Sequence, residues 1–210
     1  MLEPILPERL PLFLKRTGDV KAWLEGRAID SHRTNSRLLK KALRLAHRDD
    51  LSTVLAVNAA IITDAYWVKP LEDTSLCYSE VRFTVNSFDE LALTGSFNSF
   101  NQPPGRTPEL TNTGSFEKCW RFCNGKWWMY KSGSSAELFS ELCIYHIGRA
   151  LGFPMAHYEA EGAYIKILDF TDNASVDFEP AAGIIGDESD YIKIYEALRA
   201  LNAELAALRG

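Results

Sequence analysis

Apolar residues recur at helical spacing through the first half of the chain and alternate with polar ones through much of the second. The clearest helical stretch is TNSRLLKKALRLAHR, where Leu38, Leu39, Ala42, Leu43 and Ala46 fall on one arc and Asn35 or Ser36 stands where a side chain can cap the first turn. A short helix is expected around Val20 to Glu25, and another, capped by Asp50, through Val54, Val57 and Ala60. AYWVKP reads as a short strand stopped by Pro70. SFDELALTG carries a capping box, Ser87 with Glu90, and a glycine stop at Gly95. The stretch SFNSFNQPPGRTPEL, dense in Pro, Gly, Asn and Ser, is the best linker, which sets a boundary near residues 98 to 107.

Past that stretch, Lys118 to Cys123 and Lys126 to Lys131 flank Asn124-Gly125, a dipeptide suited to a hairpin turn because both positions take positive φ. Pairing across the turn sets Phe122 opposite Trp127, Trp120 opposite Met129 and Lys118 opposite Lys131 on one face. A long helix follows. Ser134 and Glu137 form its capping box, Leu138, Phe139, Leu142, Tyr145 and Ala150 its apolar side, and Gly152 with Pro154 its stop. Two short strands, about Met155 to Glu159 and Ala163 to Leu168, turn at Glu161-Gly162. In the last helix Ile194, Leu198, Leu201, Leu205 and Leu208 form an apolar seam. That seam can pack on the chain's own sheet, on a missing lobe or partner, or on a second copy.

Composition narrows the class. With 46% hydrophobic and 11% aromatic residues, the 210-residue chain can bury a core. No apolar run approaches the roughly 20 residues that span a bilayer, and prolines and charges interrupt MLEPILPERLPLFLKRTG where a signal peptide needs an apolar stretch. A cytoplasmic location without membrane attachment is expected. There Cys77, Cys119, Cys123 and Cys143 stay as thiols. Zinc is disfavoured, since Cys119 and Cys123 on one strand face lie about 13 Å apart. A net charge of −5 argues against general nucleic-acid binding. Even so, Arg37, Lys41, Arg44 and Arg48 at helical spacing form a basic stripe, either a solvated face or a dock for an acidic protein or, less favoured, nucleic-acid phosphates.

The segment TNTGSFEKCWRFCNGKWWMYKSG raises a more specific chemistry. A glycine turn lets backbone N–H groups approach phosphates, a strand lysine neutralises their charge, and a helix glutamate holds that lysine. Gly114 with Ser115, Lys131 and Glu141 are the candidates for these three roles, and a structural hairpin is the competing reading.

GSFEKCWRFCNGKWWMYKSG followed by ELFSELCIYHIGRALGFPMAHYE resembles the amino-terminal lobe of HipA-like serine/threonine kinases, in particular the divergent HipA-domain proteins of Firmicutes. TPELTNTGSFEKCW and YIKILDFTDN add to the resemblance, which covers about residues 107 to 200. It implies a loop over ATP formed by Gly114, Ser115 and Lys118, a phosphate-contacting Lys131, and Glu141 as the helix glutamate, with ATP and Mg²⁺ as cofactors. The loop departs from the family's A-G-x-Q pattern, with Phe116 in place of the glutamine.

No catalytic-loop aspartate with its asparagine follows Glu141, and Asp169-Phe170 continues to Thr171 rather than glycine. The expectation is therefore an α+β protein in three parts: a helical region over 1–106, a kinase-like lobe over 107–186, and an amphipathic helix over 187–210. Such a chain would be a split or truncated kinase lobe, inactive without a catalytic lobe. The alternative is a binding module, antitoxin-like or a mobile-element inhibitor, that reaches a protein partner through the basic stripe or through Leu198, Leu201 and Leu205.

Overall fold

The computed structural model describes residues 9–96, 105–186 and 188–207. They fall into two compact units, one of Met1–Val20 with Glu179–Gly210 and one of Lys21–Phe178. The smaller unit holds α1 (Leu12–Thr17), α8 (Ala181–Ile185) and α9 (Tyr191–Ala207). Glu179 fastens α1, its carboxylate accepting from Leu12 N at 2.6 Å and Phe13 N at 3.0 Å. Those two donors are among the groups a helix start leaves unpaired.

The larger unit is mixed α and β. Short helices α2 (Val20–Glu25), α3 (Thr34–Ala42), α4 (Asp50–Leu55), α5 (Tyr78–Val81) and α6 (Asp89–Thr94) precede a 3-10 turn at Pro108–Thr111. Then come β1 (Lys118–Cys123), β2 (Lys126–Lys131), α7 (Ser135–Ala150), β3 (Tyr158–Glu161) and β4 (Tyr164–Leu168). All strands pair antiparallel, in the order β1-β2-β4-β3. Asn124 and Gly125 take φ of 52° and 79°, and the hairpin register is the expected one: Lys118 with Lys131, Trp120 with Met129, Phe122 with Trp127. The capping box of Ser134 and Glu137 and the left-handed Gly152 bound α7 as expected. Among the described residues no helix is long and apolar enough to cross a membrane.

The core joins both halves of the larger unit. Ile29, Leu39, Leu43, Val57, Phe88 and Leu91 from the front helices pack on Trp120 and Trp127, so these rings lie under the front helices rather than under α7. Phe122, beside Trp127, keeps 44% of its surface exposed.

Several local expectations are corrected. Asn35 and Ser36 are buried inside α3, whose N-cap is Arg33, because the Asn35 amide reaches Ala92 O and the Ser36 hydroxyl reaches Arg33 O. The basic stripe is broken: α3 ends at Ala42, and Arg44 turns left-handed at φ 60°, so Arg44 and Arg48 do not continue the face of Arg37 and Lys41. Asp49, not Asp50, caps α4, its carboxylate accepting from Ser52 N. Residues 65–70 form no strand; Val68 N donates instead to Asn58 O, a residue at φ 58°. At α6 the cap residue is Phe88, with no side-chain bond from Ser87, and Gly95 ends the helix as expected. The second hairpin turns at Gly162-Ala163 because Glu161 pairs with Tyr164. Phe139 and Ala150 face outward from α7, and Cys123 is exposed, leaving Cys119 as the buried thiol. The linker lies mostly outside the described residues, as do Leu208 and the side chain of Leu205.

The outer edge of β1 has no neighbouring strand, and side chains replace one. Glu109, fully buried, accepts from Trp120 N at 2.6 Å, Asn86 Nδ2 at 2.7 Å and Asn112 Nδ2 at 2.9 Å. Asn86 Nδ2 also donates to Trp120 O at 2.7 Å. Burial outweighs these donors and nearby Arg33 and pushes the Glu109 carboxyl up to about 7 from 4.5. The folded state thus binds an extra proton between those values, so this group's stabilisation is present below pH 4.5 and lost as pH rises to 7. The loss is up to about 3 kcal/mol. Urea unfolding followed by tryptophan fluorescence is expected to show that decline, and Glu109→Gln is expected to flatten it. All five tryptophans lie within Lys21–Phe178, so the signal reports this unit.

Candidate functional site

The register that pairs β1 with β2 places Lys118 and Lys131 side by side on one face. Like charges directly opposite are unfavourable in a sheet, so each ammonium needs an anion. Lys131 has one: Glu141, projecting from α7, accepts from its Nζ at 2.9 and 3.2 Å. Both side chains keep part of their surface in water, at 21% and 32%, so the pair contributes about 0.2–1 kcal/mol. Its consequence is positional, tying the end of β2 to the middle of α7.

Lys118 is different. The residue is 9% exposed, and its Nζ, which makes no protein hydrogen bond among the described residues, keeps some contact with water. Burial first, then the Arg33 and Lys131 charges, push it down to about 8, against the opposing pull of Glu109 and Glu141.

Above this amine lies the glycine turn. Gly114 adopts φ 92°, and a Cβ added there would stand 2.6 Å from Lys118 Nζ. Both ends of the turn are held. Arg33 Nη1 donates to Asn112 O at 3.0 Å, while Ser132 N donates to Glu117 O at 2.9 Å and Asn35 N to the Glu117 carboxylate at 3.0 Å. Gly114, Ser115 and Phe116 between these anchors are exposed. The tip is accessible while its ends are fixed.

Gly114, Lys118, Lys131 and Glu141 therefore converge, with Ser115 on the same turn. Arg33 and Glu109 were not legible in the sequence as parts of this site. Arg33 is 2% exposed, and its Nη2 donates to Lys118 O at 2.6 Å, so it holds the backbone of the lysine it repels. Its Nε stands 3.5 Å from Glu117 Oε2 without a hydrogen bond. A weak signal for Glu109 exists in Thr107-Pro108-Glu109, where Thr107 Oγ1 accepts from Glu109 N and the proline opens the turn.

The remaining candidates do not join this cluster. Arg37 and Lys41 lie exposed on α3. On α9, Leu198 is 42% exposed and Leu201 half-buried. Asp169 directs its carboxylate into its own turn, accepting from Thr171 N, Thr171 Oγ1 and Asn173 N at 2.6–2.9 Å. Among the described residues no group of three or more His, Cys, Asp or Glu could hold a metal ion.

The arrangement can attract an anion, because Lys118, Lys131 and Arg33 lie close together beneath an accessible backbone turn. Comparison with known proteins finds no match among family models, curated proteins or solved structures.

A largely buried cation beside two others costs stability, and the sign is testable. Because the folded value of Lys118 lies near 8 rather than 10.5, stability is expected to rise between those pH values as the unfolded chain binds the extra proton. Lys118→Met is expected to raise the stability at pH 7 by about 1–3 kcal/mol and to abolish that rise, measured by urea unfolding.

Proposed function

We infer that the larger unit is a phosphate-binding half-site of the kind found in the amino-terminal lobe of HipA-like kinases, working in the cytosol together with a catalytic lobe. The observation that carries this reading is Lys118, a largely buried residue whose ammonium lies against Gly114 beside two further cations, Arg33 and Lys131. Glu141 holds Lys131 next to it, leaving the pair with one compensating carboxylate between two cations. A polyphosphate such as that of ATP supplies the missing negative charge.

In this role Lys118 and Lys131 neutralise phosphate oxygens, Glu141 keeps Lys131 from swinging into solvent, and the Gly114–Ser115 backbone closes over the anion. An anion on Lys118 sits against Gly114, where a Cβ would intrude. Among the described residues no group of three or more His, Cys, Asp or Glu could hold magnesium by protein ligands alone, and no step is assigned to it. The group that takes the proton from the accepting hydroxyl would lie in the catalytic lobe. A binding module remains the second reading, favoured by the exposed side chains Tyr191, Ile192, Tyr195 and Leu198 on α9.

Titration of the full chain with ATP, and separately with tripolyphosphate, by calorimetry is the test. Saturable binding of both is expected, weakened about 10–100-fold by Lys118→Met and by Lys131→Met, and less by Glu141→Gln. Failure of both ligands to bind at millimolar concentration overturns the reading. If the catalytic lobe is supplied, Lys131→Ala is expected to abolish phosphoryl transfer, whereas a binding module would keep its partner affinity.

A further inference from the structure

Helix α7 carries apolar residues on two opposite sides, with Glu137, His146 and Arg149 also exposed. Its inner side, Leu138, Glu141, Leu142, Tyr145 and Gly148, is buried or half-buried. At about 100° per residue, Phe139, Cys143, Ile144, Ile147 and Leu151 fall on the opposite arc, about 140° wide. Phe139 is 69% exposed, Ile144 64%, Ile147 53% and Leu151 68%, and Phe153 just beyond the helix is 60% exposed. Apart from Ser140 no polar residue falls within that arc, and no charged one does. A helix of a water-surrounded protein ordinarily carries charge on the side away from its core.

We propose that this outer arc is a homodimer interface, in which α7 of one copy packs antiparallel against α7 of a second. The five large side chains present about 500–600 Å² of apolar surface per copy, so a two-fold pair buries about 1,000–1,200 Å² in total, near the lower limit for a specific, stable interface. An uncharged arc can meet its own copy without stranding an ionised group away from water. Antiparallel pairing is also self-complementary. The Phe139 end of one helix meets the Leu151 and Phe153 end of the other, with Ile144 and Ile147 near the axis and Cys143 beside Ile147 of the second copy. The contact spans about 18 Å of helix. Glu141 projects from the inner side, so dimerisation leaves the ion pair with Lys131 in place.

Sedimentation equilibrium of the full chain from 1 to about 200 µM is the test. A monomer–dimer equilibrium in the micromolar range is expected, shifted at least 10-fold toward monomer by Ile147→Glu and by Phe139→Ser, with tryptophan fluorescence unchanged. In a Cys77→Ser, Cys123→Ser background, Ile147→Cys is expected to give a covalent dimer under mild oxidation, while Cys143 alone does not. A monomer throughout the range, a dimer indifferent to Ile147→Glu, or one dissolved only by Tyr195→Glu on α9 would each overturn the proposal.

Discussion

A hairpin strand with no neighbour leaves a row of backbone groups that water or another chain must satisfy. On the outer edge of β1 that demand is met by a carboxylate, an amide and a guanidinium drawn from three separate places in the chain. Glu109 takes the Trp120 N–H, Asn86 donates to the Trp120 carbonyl, and Arg33 donates to the Lys118 carbonyl. Because the front helices carry Arg33 and pack on Trp120 and Trp127, the sheet and those helices form one core. Removing Glu109 would leave the buried Trp120 N–H and Asn112 amide without that acceptor, while Asn86 keeps its bond to the Trp120 carbonyl.

The same interaction explains how the larger unit tolerates its least favourable residue. Lys118 begins β1, and its backbone is pinned by Arg33 whatever its ammonium prefers. Local charge can therefore be held out of equilibrium with its surroundings, in the way binding sites store unfavourable electrostatics that a ligand relieves. Arg27 and Asp64 provide the contrast within the same unit. Their two parallel bonds at 2.9 Å, with further donation from Arg27 to the Ala59 and Tyr66 carbonyls, leave the guanidinium fully engaged and without a ligand-directed role.

Helix α7 connects the lysine cluster to the molecular surface. Its inner side supplies Glu141 to Lys131 and Tyr145 to β3, where that ring stacks on Tyr158 at 5.3 Å. Tyr145 also meets His157, which in turn contacts Glu159, so a line of polar contacts runs along the helix–sheet seam. Its outer side leaves Phe139, Ile144, Ile147 and Leu151 exposed. Anything that docks there would act on a helix whose other face holds Lys131 through Glu141.

Local chemistry made much of the second half of the larger unit readable in advance. Asn124-Gly125 specifies a turn by its backbone conformations, a period of two then sets the hairpin register, and Ser134 with Glu137 caps α7 through bonds spanning four residues. The ion pair of Lys131 with Glu141 was anticipated through the kinase-lobe resemblance, with the helix phase allowing Glu141 to reach inward. Elsewhere local signals gave way to distant partners. Asn35 and Ser36 were drawn into α3 by contacts with Ala92 and Arg33, Phe139 faced out because Tyr145 and Glu141 claimed the inner side, and Arg44 broke the basic stripe with a left-handed turn. The sequence by itself determined the elements whose stabilising contacts close within a few residues. Only the tertiary structure decided which charges are buried, because Glu109, Arg33 and Lys118 differ from solvated residues only in what long-range packing places around them.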